Sequence, residues 1–199
     1  NGRELVFLNQ GDDLFIDNGQ GGELGRDTVF TGLGNDTVQG GNGDDQYFGE
    51  AGNDVIFGRL GNDSIYGGDN FDFIDAGDGN DLVFGGKGQD TVILGAGDDT
   101  FIDTNQGGDL GRDTITGGTG ADTFAFGATS STEVSTDFEV GVDALELNAG
   151  LTGGRSAAQV AADGVVTGNG VLLGFGAGQS ILLEGLTSTV GLGDDIGIV

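Results

Sequence analysis

Between Thr31 and Ile102 the apolar residues follow neither the 3.6-residue period of a helix face nor the alternation of a long strand; they return every nine residues. Eight nonads run without interruption: TGLGNDTVQ, GGNGDDQYF, GEAGNDVIF, GRLGNDSIY, GGDNFDFID, AGDGNDLVF, GGKGQDTVI and LGAGDDTFI. The sixth place is always Asp, and the eighth is always large and apolar: Val38, Tyr47, Ile56, Ile65, Ile74, Val83, Val92 and Phe101. A nine-residue unit carrying a glycine cluster cannot sustain a helix. The pattern instead predicts a six-residue turn and a three-residue strand whose eighth side chain points inward. Two nonads then close one coil, and coils stack strand on strand. The predicted fold is all-β, a parallel β-roll (β-solenoid) with a C-terminal β-rich capping segment.

The register continues on both sides of the regular block. Upstream, LNQGDDLFI ends at Ile16 and GELGRDTVF at Phe30, with five extra residues, Asp17 to Gly21, between them. Downstream, five extra residues, Asp103 to Gly107, precede GDLGRDTIT, and GGTGADTFA closes the array. The two expanded regions, GDDLFIDNGQGGELGRDTVF and GDDTFIDTNQGGDLGRDTIT, agree at 14 of 20 positions and read as a duplicated element. NGRELVF at the start fits a worn nonad, as though the chain began within an array. After Phe126 the period is lost. TEVSTDFEVGVDALELNAGL reads as strands with a turn at Gly141, RSAAQVAADG as a short helix stopped at Gly164, VVTGNGVLLGF as a hairpin turning at Gly168 to Gly170, and QSILLEGL as one more strand. The expected division is a roll over residues 1–126 and a cap over 127–199, since an open solenoid end exposes apolar core and unpaired backbone.

Charge narrows the chemistry. The 199 residues carry 33 acidic and 6 basic side chains, a formal net charge of -27, with 45 glycines and no Cys, His, Pro, Met or Trp. Such a chain repels nucleic acid and anionic membranes and attracts cations. It has no disulfide to staple it, no apolar run long enough for a transmembrane segment, and no N-terminal stretch that resembles a signal peptide.

Because alternate nonads share an edge of the roll, one edge stacks Asp13, Asp36, Asp54, Asp72, Asp90 and Asp113, and the other Asp27, Asp45, Asp63, Asp81, Asp99 and Asp122. Neighbours in each file should lie about 4.8 Å apart, the spacing of paired strands. Ionised carboxylates so placed repel one another unless a cation intervenes. Several Ca2+ ions suit the site: calcium accepts six to eight oxygen ligands in irregular geometry, whereas zinc and copper favour the His and Cys that are missing. The fourth-position glycines Gly34, Gly43, Gly52, Gly61, Gly79, Gly88 and Gly97 belong to turns that aim main-chain carbonyls at the same place. The sharpest departure is GGDNFDFID, with Asn70 in the fourth place, and a weaker ion site is expected near Asp72. Glu50 and Arg59 replace second-position glycines, a milder change. In the duplicated elements Asp17, Glu23, Asp103 and Asp109 are further acidic candidates, and Arg26 and Arg112 read as structural partners of Asp17 and Asp103.

The consensus GGxGxDxUx, with U a large apolar residue, resembles the calcium-binding nonapeptide of the repeats-in-toxin (RTX) family, and GGNGDDQYF and GGKGQDTVI match it almost letter for letter. The resemblance implies ions bridging successive turns through the twelve aspartates and the turn carbonyls. It also implies an extracellular protein exported by the bacterial type I route and folded by calcium after export. DFEVGVDALEL resembles the segment that follows the repeats in many members, and DDIGIV is similar to the uncleaved C-terminal export signal. A catalytic domain of protease or lipase type, upstream of Asn1, fits the same family. This chain itself offers no His or Cys for a triad and no phosphate-binding lysine motif, and reads as non-enzymatic.

The ninth position points outward. On one face it carries Phe7, Phe30, Phe48, Tyr66, Phe84 and Ile102, a ladder too large to stand bare without a reason. The expected cover is the C-terminal segment or a second chain. The alternative is a glycan, which would make the module carbohydrate-binding or adhesive.

Overall fold

The computed structural model describes residues 3–17, 25–103, 111–127, 132–176 and 178–199. The repeats give thirteen strands: β1 (Leu5–Phe7), β2 (Leu14–Ile16), β3 (Thr28–Phe30), β4 (Thr37–Gln39), β5 (Gln46–Phe48), β6 (Val55–Leu60), β7 (Ser64–Asp69), β8 (Phe73–Asp78), β9 (Leu82–Lys87), β10 (Thr91–Ala96), β11 (Thr100–Asp103), β12 (Thr114–Thr119) and β13 (Thr123–Phe126). Odd strands stack in one sheet and even strands in the other, all parallel, so each coil takes two nonads. The register is one of like on like: Val38 pairs with Ile56, Tyr47 with Ile65, Phe48 with Tyr66.

The eighth-position side chains fill the space between the sheets. Val29, Val38, Tyr47, Ile56, Ile65, Ile74, Val83, Val92, Phe101, Ile115 and Phe124 are each no more than 1% exposed. The strands are longer than the three residues expected. From β6 onward most contain six, because the ladder skips the first-position residue, where the chain bends, and resumes at places two and three, as in Arg59 opposite Gly77 and Leu60 opposite Asp78. Second-position glycines permit this: Gly77 has φ 112°, and a Cβ there would collide with the Arg59 carbonyl of the coil before. Only places four to six remain as a true corner.

After the repeats come β14 (Thr132–Ser135), β15 (Ala144–Leu147), α1 (Ala149–Thr152), α2 (Ala157–Asp163), β16 (Val165–Val166), β17 (Gly170–Gly176), β18 (Gln179–Glu184), α3 (Leu192–Asp195) and β19 (Ile196–Ile198). The expected turn at Gly141, the short helix, the hairpin and the final QSILLE strand are all present. Ser156 caps α2 in a reciprocal capping box with Gln159. The segment does not fold across the aromatic ladder. Instead β14 and β18 continue the even sheet and β15 and β19 the odd one. Backbone groups at the end of a stack need partners, and extending both sheets supplies them.

Candidate metal centre: two files of buried carboxylates

Each sixth-position aspartate stands at the corner where the chain enters its strand, two residues before the inward apolar side chain, and so points inward as well. Eleven of the twelve predicted aspartates are buried, Asp27 being the most open of them at 7%; Asp13 is half-buried. One carboxylate oxygen is fixed. Oδ1 accepts the main-chain N–H of the aspartate one coil earlier: Asp36 N–H to Asp54 (2.7 Å), Asp54 to Asp72 (2.9 Å), Asp72 to Asp90 (2.9 Å) along one edge, and Asp45 to Asp63 (2.8 Å), Asp63 to Asp81 (2.7 Å), Asp81 to Asp99 (2.7 Å) along the other. The files cross the expanded coils without losing step, as Asp13 N–H to Asp36 Oδ1 (2.7 Å) and Asp90 N–H to Asp113 Oδ1 (2.9 Å) show.

The other oxygen is left over. At Asp13, Asp36, Asp54, Asp63, Asp72, Asp81, Asp99 and Asp113, Oδ2 is enclosed and accepts no hydrogen bond within the chain. At Asp45 the hydroxyl of Tyr47 donates to it at 2.9 Å. A buried anionic oxygen without a partner is costly. Burial, opposed by the main-chain hydrogen bond and reinforced by neighbouring carboxylates, pushes Asp63 up to about 7, Asp72 to about 8 and Asp113 to about 9. Asp54, Asp81, Asp99 and Asp122 rise to about 6, again chiefly through burial.

Glycine shapes the space that Oδ2 faces. A Cβ on Gly49 would stand 2.7 Å from Asp54 Oδ2, one on Gly58 2.5 Å from Asp63 Oδ2, and one on Gly67 2.6 Å from Asp72 Oδ2, each also colliding with the carbonyl at the same place one coil on. The first-position glycine therefore keeps open a cradle of carboxylate and carbonyl oxygens. At the fourth place, Gly34, Gly43, Gly52, Gly61, Gly79, Gly88 and Gly97 adopt φ between 125° and 149°, and a Cβ on any of them would strike the fourth-position carbonyl of the preceding coil. Asn70 holds the same place at φ 84°, as its tolerance of the left-handed region allows. Asp72 keeps its station in the file, although Phe71 has no acceptor to continue the outer ladder in which Asn35 Oδ1 takes the N–H of Asn53, and Asn53 Oδ1 that of Phe71. The donor set is oxygen throughout, with no nitrogen or sulfur ligand in the sequence, and the enclosed carboxylate oxygens fit a hard cation of calcium type.

Two members of the files lay outside the nonad register. Glu133 Oε2 accepts the N–H of Asp113 (2.8 Å), and Asp143 Oδ1 that of Asp122 (3.1 Å), ending the two files inside the C-terminal segment. Asp143-Ala-Leu145 repeats the Asp-x-apolar spacing of the nonad and was discoverable on that ground; Glu133 is followed two residues on by Ser135 and carried no such signal. Arg26 pairs with Asp44 (2.6 Å) rather than with Asp17, because Asp44 lies one coil on, beside it at the exposed corner. Glu23 and Asp109 lie outside the described residues.

The aromatic ladder exists and is continuous. Phe7, Phe30, Phe48, Tyr66 and Phe84 stack with centroids 4.6–5.0 Å apart and planes within 8° of parallel. Each inner ring gives both faces to its neighbours, so a sugar approaching this sheet meets ring edges and not the faces on which sugars stack.

Two parallel sheets closed by glycine corners, with a file of enclosed carboxylates along each edge, define a calcium-binding repeat roll. The family model described as RTX calcium-binding nonapeptide repeat (4 copies) matches residues 21–56, 39–74, 48–82, 66–101 and 108–130, together just over half of the chain. The protein belongs to the RTX repeat family, whose roll is a structural calcium-binding module and whose members are typically secreted. No individual curated protein matches the chain. Among the described residues no helix is long and apolar enough to cross a membrane.

Proposed function

We propose that residues 1–126 form a calcium-responsive folding module and residues 127–199 its cap and export-signal region, in a protein released by the bacterial type I route and active outside the cell. Asp13, Asp27, Asp36, Asp45, Asp54, Asp63, Asp72, Asp81, Asp90, Asp99, Asp113 and Asp122 hold the ions from the side-chain side, and the turns built on Gly34, Gly43, Gly52, Gly61, Gly79, Gly88 and Gly97 supply carbonyl oxygens. Bound calcium supplies the positive charge that ionised carboxylate files require and ties adjacent turns together. The file of enclosed, unmatched Oδ2 atoms is the observation that carries this reading.

The chain's own residues account for the unfolded alternative. With no cation present the files repel, and 45 glycines favour a mobile backbone. In low calcium, as inside a producing cell, the roll stays open; at the millimolar level outside it, binding free energy becomes folding free energy. Circular dichroism with a calcium titration tests this directly. The β signal should appear with calcium and vanish with chelator, and an identical spectrum in both conditions would refute the switch.

A further inference from the structure

The repeat register explains Asp113 but not the two buried carboxylates beside it. Asp103 directly follows a ninth place, at the station where Gly49, Gly58 and Gly67 keep space open in front of the sixth-position carboxylate. Glu133 reaches the same spot from β14. Asp103, Asp113 and Glu133 each bring a carboxylate oxygen, the three oxygens lie within 4.8 Å of one another, and none of the residues is more than 1% exposed. The N–H of Asp113 fixes Glu133 through Oε2 at 2.8 Å, while Oδ2 of Asp113 accepts no hydrogen bond.

The duplicated element near the N-terminus shows what is different here. There Asp17 stands where Asp103 does, directly after a ninth place, with Asp27 at the sixth, and Asp27 donates its N–H to Asp45 at 2.7 Å, so Asp45 is the counterpart of Glu133. Two residues beyond Asp45, the hydroxyl of Tyr47 satisfies Asp45 Oδ2. Two residues beyond Glu133, on the same face of β14, stands Ser135, fully buried, its Oγ with no hydrogen-bond partner. Serine is too short to reach as tyrosine does. Beside its three carboxylates the second copy therefore has an unmet carboxylate oxygen and an unmet hydroxyl, where the first copy has an aromatic ring and its proton donor. Three carboxylates this close and this dry stay ionised only with a cation among them.

We propose that Asp103, Asp113 and Glu133 form a separate site for a divalent cation of calcium type, and that it clasps the end of the roll to the C-terminal segment. The site draws on β11 of one sheet and on the corner before β12 and on β14 of the other, so an ion there joins the last coils to the first strand of the cap. It rests on the calcium-binding reading of the roll, since Asp113 belongs to both, but differs in kind. Three side-chain charges converge on one point instead of one carboxylate per turn, and affinity in oxygen-ligand sites rises with charge count and rigidity. It should fill first.

Calcium titration of the full chain followed by native mass spectrometry tests the proposal with three variants. Glu133→Gln keeps an oxygen for the Asp113 N–H and removes only charge; it should lose one ion per chain, the tightest, and retain the rest. Asp103→Asn repeats the test from the other sheet and should lose the same ion. Asp63→Asn, in the middle of a regular file, should weaken turn sites and leave the tightest step intact. If Glu133→Gln and Asp103→Asn bind the same number of ions with the same affinities as the parent chain, the clasp is overturned while the turn sites stand. A chain that binds a single ion, lost in Glu133→Gln and kept in Asp63→Asn, upholds the clasp and removes the turn sites.

Discussion

In the coils between Val55 and Ala96, every eighth-position apolar side chain has a buried aspartate two residues before it; from Thr132 to Val199, Glu133 and Asp143 are the only buried ionisable groups among the described residues, and both are ends of the aspartate files. Apart from Ala76 and Leu94, the interior of the roll holds one large apolar side chain per nonad, two for each 18-residue coil, a small apolar gain against the ordering of a glycine-rich backbone. The C-terminal segment adds Phe138, Leu145, Leu147, Leu151, Val160, Leu173, Ile181, Leu183, Leu192 and Ile196 to the same continuous core, more densely along the chain, with a capped helix packed on it. On the proposed function, one region keeps its order through charge neutralised at corners and the other through buried apolar area. A cation should therefore matter far more to the first than to the second.

Hydrogen exchange with and without chelator is the strongest way to break this contrast. Removing calcium should abolish amide protection across residues 25–103, while α2, β17 and β18 lose less; equal loss in both regions would mean that the cap has no stability of its own. The next effect is on pH. In the metal-free fold Asp63, Asp72 and Asp113 keep their protons up to about 7, 8 and 9, whereas an unfolded aspartate releases its proton near 4. The unfolded chain thus binds fewer protons throughout that interval. The contribution is complete below the unfolded value and is lost as pH rises through the folded ones. Calcium-free protein moved from pH 8 to pH 5 should gain β signal by circular dichroism, and calcium affinity should fall over the same range; a metal-free spectrum indifferent to pH contradicts the burial of the files. The smallest effect belongs to the cap. Ser156→Ala removes the N-cap oxygen that accepts from Gln159 and should cost about 1 kcal/mol in denaturant unfolding of the calcium-loaded protein, without changing the number of ions bound.

Most of the roll was legible because its information is local and repeated. A glycine pair, a corner glycine, an aspartate and an apolar residue at fixed offsets fix the turn, the inward row and the alternation of sheets, and even Asn70 in a glycine's place behaved as its side chain allows. The boundaries of the strands were less legible, since places two and three look like loop in the sequence and become ladder only when an identical coil lies alongside. The C-terminal segment, one of the two covers expected over Phe30, Phe48, Tyr66 and Phe84, extends the sheets instead, and the sequence alone does not reveal that the rings cover one another's faces.

The sequence by itself determined the nine-residue register, the all-β coil, the two aspartate files and the oxygen-only chemistry that selects a hard cation, because each follows from residue type at a short, repeated spacing. Only the tertiary structure decided that along the files one carboxylate oxygen is tied to the neighbouring coil while at most stations the other is left enclosed, that the files end at Glu133 and Asp143, and that Asp103, Asp113 and Glu133 meet. The ties between coils span two repeats and the meetings at Glu133 and Asp143 span about 10 to 30 positions with no period connecting them, and both sets of distances exist only once the coils have stacked.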